Sequence, residues 1–121
     1  MKLHIKGSLE NKTTNEYMII NTNAIKTKNK LSYSQDKDIY VLKIISPKKL
    51  ILNRKNASID CTFYFEEKKV IPSIYTIKEN NITLEINIKT NLIEINNNNI
   101  KIKYTVIDSN QEYEYNIEMS E

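Results

Sequence analysis

Between Ile82 and Met119 the chain settles into the period of a pleated strand. Apolar side chains take every second position at Ile82, Leu84, Ile86 and Ile88, then at Ile93 and Ile95. They do so again at Ile100, Ile102, Tyr104 and Val106, and at Tyr113, Tyr115, Ile117 and Met119. A strand points successive side chains to opposite faces, so this alternation describes sheet with one buried and one wet face. The apolar phase moves from even to odd between Ile88 and Ile93, which requires one inserted residue near Lys89 to Leu92, in a bulge or a tight turn.

The same reading extends back to the N-terminus. Leu3 and Ile5 begin a strand that ends near Gly7 to Glu10, and the polar stretch Asn11 to Asn15 reads as a loop. Tyr17 to Ile20 is strand, interrupted at Asn21 to Asn23 before Ala24 to Lys28. Asn tolerates a left-handed backbone, so Asn23 and Asn29 are expected at bends. Leu31 and Tyr33 form a short strand closed by a turn over Ser34 to Asp38. Ile39 to Ile45, bounded by Ser46-Pro47, reads as a strand buried on both faces, and Leu50 to Arg54 follows it.

Odd positions are apolar from Ala57 to Phe65, and the cluster Glu66 to Val70 turns the chain into Ile71 to Lys78. A hairpin there sets Phe65 against Ile71, Cys61 against Tyr75 and Ile59 against Ile77, while Pro72 demands an edge or a bulge. Glu79 to Asn81 makes the next turn, and Asn96 to Asn99 is a loop that places Ile95 opposite Ile100. A last loop at Asp108 to Gln111 pairs Val106 with Tyr113, Tyr104 with Tyr115 and Ile102 with Ile117. On the wet face that register sets Lys101 against Glu118, and Lys103 beside Glu114 and Glu118. No helical stretch stands out. About 8 to 10 short antiparallel strands in sequence predict an all-β, up-and-down meander whose twist closes it into a barrel, with a two-sheet sandwich as the alternative.

Length keeps this to one domain, residues 1–121, since 121 residues sit in the ordinary range for a single core. Heavy use of Asn, Ile, Lys and Tyr is accounted for by A- and T-rich codons, so the lysine count alone does not argue for nucleic acid. Charge is unevenly spread: residues 1–55 hold 12 basic against 4 acidic side chains, and residues 56–121 hold 6 against 11. In a sheet the two halves interleave, so cross-strand ion pairs are the simplest account. Cys61 is the lone cysteine and lies in an apolar phase, as a small buried hydrophobe would; the single histidine, His4, is in another strand. Apolar runs are too short to span a bilayer and no leader pattern opens the chain, so a cytoplasmic location is expected.

Several segments resemble a known family. Leu31-Ser32-Tyr33, Leu52-Asn53-Arg54-Lys55-Asn56, Phe63 and Phe65, Tyr75, Ile82-Thr83-Leu84-Glu85-Ile86 with Thr90, and Ile100-Lys101-Ile102-Lys103-Tyr104 are similar, in order and spacing, to the YwiB-like family of small bacterial proteins. The resemblance implies a calycin-type, lipocalin-like β-barrel and leaves activity open. The chain departs from the family's pattern at Asn56 and at Asn80-Asn81, where that family tends to have glycine.

Candidate ligand-binding residues are Tyr33, Arg54, Tyr75 and Tyr104, which match the family's positions. Arg54, the one arginine, suits either a structural role at a barrel end or a bidentate grip on a carboxylate or phosphate. The three tyrosines lie on apolar phases and suit a filled core or a pocket wall equally. No glycine-rich phosphate loop, nucleophile elbow or metal-ligand spacing is present, so no catalytic residue, metal or cofactor is expected and the chain reads as a non-enzyme. The leading expectation is a binding module for a small apolar or amphipathic ligand in the barrel. The alternative is an interaction protein with a solid core, working as a homodimer along an uncovered strand. A third, weaker reading is single-stranded nucleic-acid binding through Lys26, Lys28, Lys30, Lys48 and Lys49.

Overall fold

The computed structural model describes all 121 residues, which form strands and the short links between them, with no helix. Ten strands follow one another: β1 (Lys2–Asn11), β2 (Tyr17–Thr27), β3 (Lys30–Gln35), β4 (Asp38–Ser46), β5 (Lys49–Lys55), β6 (Ile59–Glu66), β7 (Val70–Ile77), β8 (Ile82–Ile95), β9 (Asn99–Val106) and β10 (Gln111–Ser120). Each pairs antiparallel with its sequence neighbours, and β1 pairs with both β2 and β10 to close the barrel. The barrel, not the sandwich, is the architecture. Short connections pair each strand with its sequence neighbours, and the β1–β10 pairing removes the two edges that a sandwich would keep.

Register follows the apolar pattern in most places. Cys61 faces Tyr75 and Ile59 faces Ile77, and Ile95 faces Ile100. The phase change in β8 is a bulge between Thr90 and Leu92 within one long strand. Asn21 to Asn23 does not interrupt β2, which runs unbroken, and the left-handed positions are elsewhere: Asn15, Asp36, Lys37, Lys68, Asn81 and Asn110. The last hairpin is shifted by two residues from expectation. Gln111 faces Val106, Tyr113 faces Tyr104 and Tyr115 faces Ile102. Two residues is one full side-chain period, so every apolar group keeps its face, but the outer pairs change. Lys103 meets Glu114 at 3.6 Å, whereas Lys101 lies between Glu94 and Asn116.

The two ends of the barrel differ. The closed end carries both termini and the turns at residues 28–29, 47–48, 67–69 and 96–98. Its luminal side chains Ile5, Leu42, Leu50, Ile93, Ile102 and Ile117 have no exposed surface at all. Burying a side chain of this size contributes about 1.5–3 kcal/mol, so this half holds most of the packing energy. The turn over residues 67–69 folds across to the bulge in β8: Lys68 N–H donates to the Thr90 carbonyl and Thr90 N–H to that of Lys69. Glu67 accepts from Ile93 N–H, and Lys48 reaches both Glu67, at 3.0 Å, and the Ile93 carbonyl.

At the opposite, open end, Leu9, Met18, Ile59, Ile77, Ile86 and Val106 are only half-buried although they point inward. Two seams loosen the wall. Beyond Ala24 and Tyr33, β2 and β3 part, and the Gln35 amide fills the gap by donating to the Ile19 carbonyl and accepting from Asn21 N–H. Beyond Thr62 and Ile74, β6 and β7 part beside Pro72, and the Ser73 hydroxyl accepts from Tyr64 N–H. No helix is long and apolar enough to cross a membrane.

Gly7, the single glycine, sits where β1 bends against β10. A Cβ there would come within 1.8 Å of the Asn116 carbonyl oxygen, which is backbone and cannot swing aside. Gly7→Ala is expected to destabilise the barrel by about 2–3 kcal/mol, as overpacking does, read as a lower urea midpoint with unchanged slope. Gln35→Ala should cost about 1 kcal/mol, the net worth of a hydrogen bond or two. It should also speed amide exchange at Asn21 while exchange at Ile102 follows global stability alone.

Candidate functional site

A single row of directly paired residues links most of the nominated side chains. Ala24 faces Tyr33, Tyr33 faces Tyr40, Tyr40 faces Arg54, Arg54 faces Cys61, Cys61 faces Tyr75, and Tyr75 faces Leu84. All are on the luminal phase. Barrel strands tilt against the axis, so a row perpendicular to them climbs the wall, and this one rises from the packed centre to the open rim.

Tyr33 is at its buried foot. The ring is 4% exposed and stacks on Tyr40 with centroids 4.7 Å apart. Its hydroxyl crosses the lumen to hydrogen-bond that of Tyr115. Burial raises both phenol pKa values, so the pair stays neutral across the physiological range. Tyr104 is also core: it packs on Phe65 at 4.9 Å and on Tyr113 at 5.2 Å. These two tyrosines form the floor beneath the open end.

Arg54 lies higher. Its Nε donates to Asp38 Oδ2 at 2.8 Å, and its guanidinium carbon stands 5.9 Å from the Tyr40 ring centre, in cation–π range. The two terminal nitrogens make no hydrogen bond within the chain, and the side chain is 38% exposed. Its charge is felt by Tyr33, Tyr104 and Cys61, all of which face inward. Burial pushes the Cys61 thiol up to about 11, so it is an inert apolar neighbour at neutral pH.

Asp38 and Asn56 complete the arrangement. The turn between β3 and β4 has two central residues, Asp36 and Lys37, both left-handed (φ 52° and 72°), the geometry of a tight hairpin. It makes Asp38 the first residue of β4, on the luminal phase, where it is 8% exposed. Asn56 Oδ1 accepts from Ser58 and Ile59 N–H in an Asx turn, and its Nδ2 donates to Asp38 Oδ1 at 2.7 Å. Asn56 first, then Arg54, holds the Asp38 carboxyl below its usual range despite burial. The carboxylate thus engages one face of the guanidinium and leaves the other open.

Tyr75 is half-buried near the rim. Above it the β7–β8 hairpin pairs Ile77 with Ile82, and Tyr75 with Leu84, all on the luminal phase. Ile82 is 44% and Leu84 48% exposed, because no further strand or loop covers them. The periodicity placed them in the core; they form an apolar lip instead. Across the barrel the mouth holds an open cleft of about 400 Å³ lined by Leu9, Asn11, Glu16, Tyr17, Met18, Gln111 and Tyr113. Of the nominated lysines, Lys48 and Lys49 are bound to Glu67 and Glu66. Lys26, Lys28 and Lys30 have no acidic partner, and Lys30 directly faces Lys43.

The lowered Asp38 pKa has a stability consequence. A depressed carboxyl contributes stability that is fully present above its unfolded value of about 3.9 and is lost as pH falls through the lower folded value. Asp38→Asn should therefore lower stability by about 1 kcal/mol at pH 7, discounted for the exposure of Arg54. The gap between variant and parent should narrow as pH falls below the unfolded value of about 3.9, as followed by urea midpoints from pH 7 to pH 2.

No family model matches the sequence, and no curated protein matches it. Among solved structures the chain matches the crystal structure of the YwiB protein from Bacillus subtilis, with a TM-score of 0.70 over 98% of this chain and 89% of that one, at 19% identity. At that identity the likeness speaks for the fold alone: the chain shares the β-barrel of the YwiB protein.

Proposed function

We propose that the protein is a binding module for a small amphipathic molecule, and that the site is the open end of the barrel. The carrying observation is the uncovered lip: Tyr75, Ile77, Ile82 and Leu84 keep the luminal phase yet lie partly in water beside the polar group of Asp38, Arg54 and Asn56. Apolar surface next to a few convergent polar groups is the usual composition of a small-molecule site. The packed closed half leaves the ligand no deeper place to go. Tyr33 and Tyr104 serve this reading as floor, and Arg54 and Tyr75 as wall. No step of bond making is part of it.

A protein-interaction role is the second reading, favoured by the outer wall of β2 and β4, where Tyr17, Ile19, Ile25 and Ile39 are exposed. The two readings separate in an amide NMR titration with small amphiphiles. Binding at the open end shifts Tyr75, Ile82, Leu84 and Tyr113 together. Shifts confined to Ile19, Ile25 and Ile39, or shifts that appear on raising protein concentration alone, would move the function to the outer wall.

A further inference from the structure

We infer that the open end is built for a carboxylate with an extended apolar body, its carboxylate held by the two terminal nitrogens of Arg54 and its body laid along the lip. This rests on the open end being a binding site and names the ligand class. The guanidinium is oriented before any ligand arrives: Asp38 takes Nε at 2.8 Å, Asn56 fixes Asp38 from the other side, and Tyr40 supports the cation at 5.9 Å. What remains is a planar fork of two N–H-bearing nitrogens, a geometry that matches a carboxylate in bidentate fashion.

Position argues the same way. Arg54, Cys61, Tyr75 and Leu84 are consecutive partners across four strands, so the backbones that carry the guanidinium and the far edge of the lip are three strand spacings apart, roughly 15 Å. A molecule with its charge at one end and ten or so carbons beyond spans that distance. Charge limits the ligand to a single negative charge. Arg54 and Asp38 are together formally neutral, so the fork holds its anion through its own hydrogen bonds, and the other cation beside the group, Lys78, is committed to the Asn56 carbonyl. A phosphate dianion would face the Asp38 carboxylate with too little positive charge to balance it.

The test is an amide NMR titration of the whole protein with decanoate, kept below its micelle threshold, against decan-1-ol, which has the same body and no charge. Decanoate is expected to shift Arg54, Tyr75, Ile82 and Leu84 and to bind about 10- to 100-fold more tightly than the alcohol, the factor for a charge-assisted pair. Arg54→Lys keeps the charge and loses the fork, so it should weaken decanoate and leave the alcohol unchanged. Leu84→Ser leaves the Asp38–Asn56–Arg54 group intact and should weaken both. Equal affinity for acid and alcohol, or undiminished decanoate binding in a folded Arg54→Lys protein, overturns the carboxylate assignment while the open end survives as an apolar site. If neither probe binds, or if the lip amides shift with protein concentration alone and the mass doubles, the binding-module reading falls with it.

Discussion

Closure of β1 onto β10 is the constraint from which the rest follows. Nine hairpin connections make a ribbon that any meander could make, but only the tenth pairing turns it into a wall with an inside. That pairing brings the β1 backbone at Gly7 against the β10 backbone at Asn116, closer than any side chain would allow. Once the ribbon is closed, every inward side chain competes for the same volume. At the closed end the competition is settled by isoleucine and leucine at full burial. At the other end the strands run past one another at the tilt that closure imposes, and the lumen is left partly open.

Two side-chain devices keep this closed sheet intact where its ladders fail. Gln35 supplies an amide in place of a missing strand pair, and Ser73 supplies a hydroxyl beside Pro72, so the seams are polar-satisfied. Buried backbone groups without partners are costly, which is why both repairs use groups that accept, and in the case of Gln35 also donate. Thr90 is the exception. Its hydroxyl is buried at the bulge with no partner, and the bulge itself is held by the turn over residues 67–69.

Much of this was legible in the residues. Parity assigns faces, and it placed Ile59, Cys61, Phe65, Tyr33 and Ile102 inside correctly because a strand has no other way to bury them. Parity does not choose among registers that differ by two, so the sequence suits a last loop at Asp108 to Gln111 as well as the observed one, Ile107 to Asn110, with an isoleucine exposed in it. Nor does period reveal where neighbours run out, which is why Ile82 and Leu84 read as core. The candidate site was half visible. Arg54 and Tyr75 stand out in the sequence as a lone arginine and an aromatic on the inner phase. Asp38 did not, since an acid after Asp36 and Lys37 reads as more turn, and the left-handed Lys37 that ends the turn early is not a residue that advertises that backbone. Its parity with Tyr40 and Leu42 was the available signal.

The hydroxyl contact between Tyr33 and Tyr115 spans the lumen from β3 to β10, strands that do not pair in the wall. It acts as a tie-rod. Above it the rim can vary in shape and chemistry without loosening what lies below, so substitutions at one pole are uncoupled from the packing that holds the other.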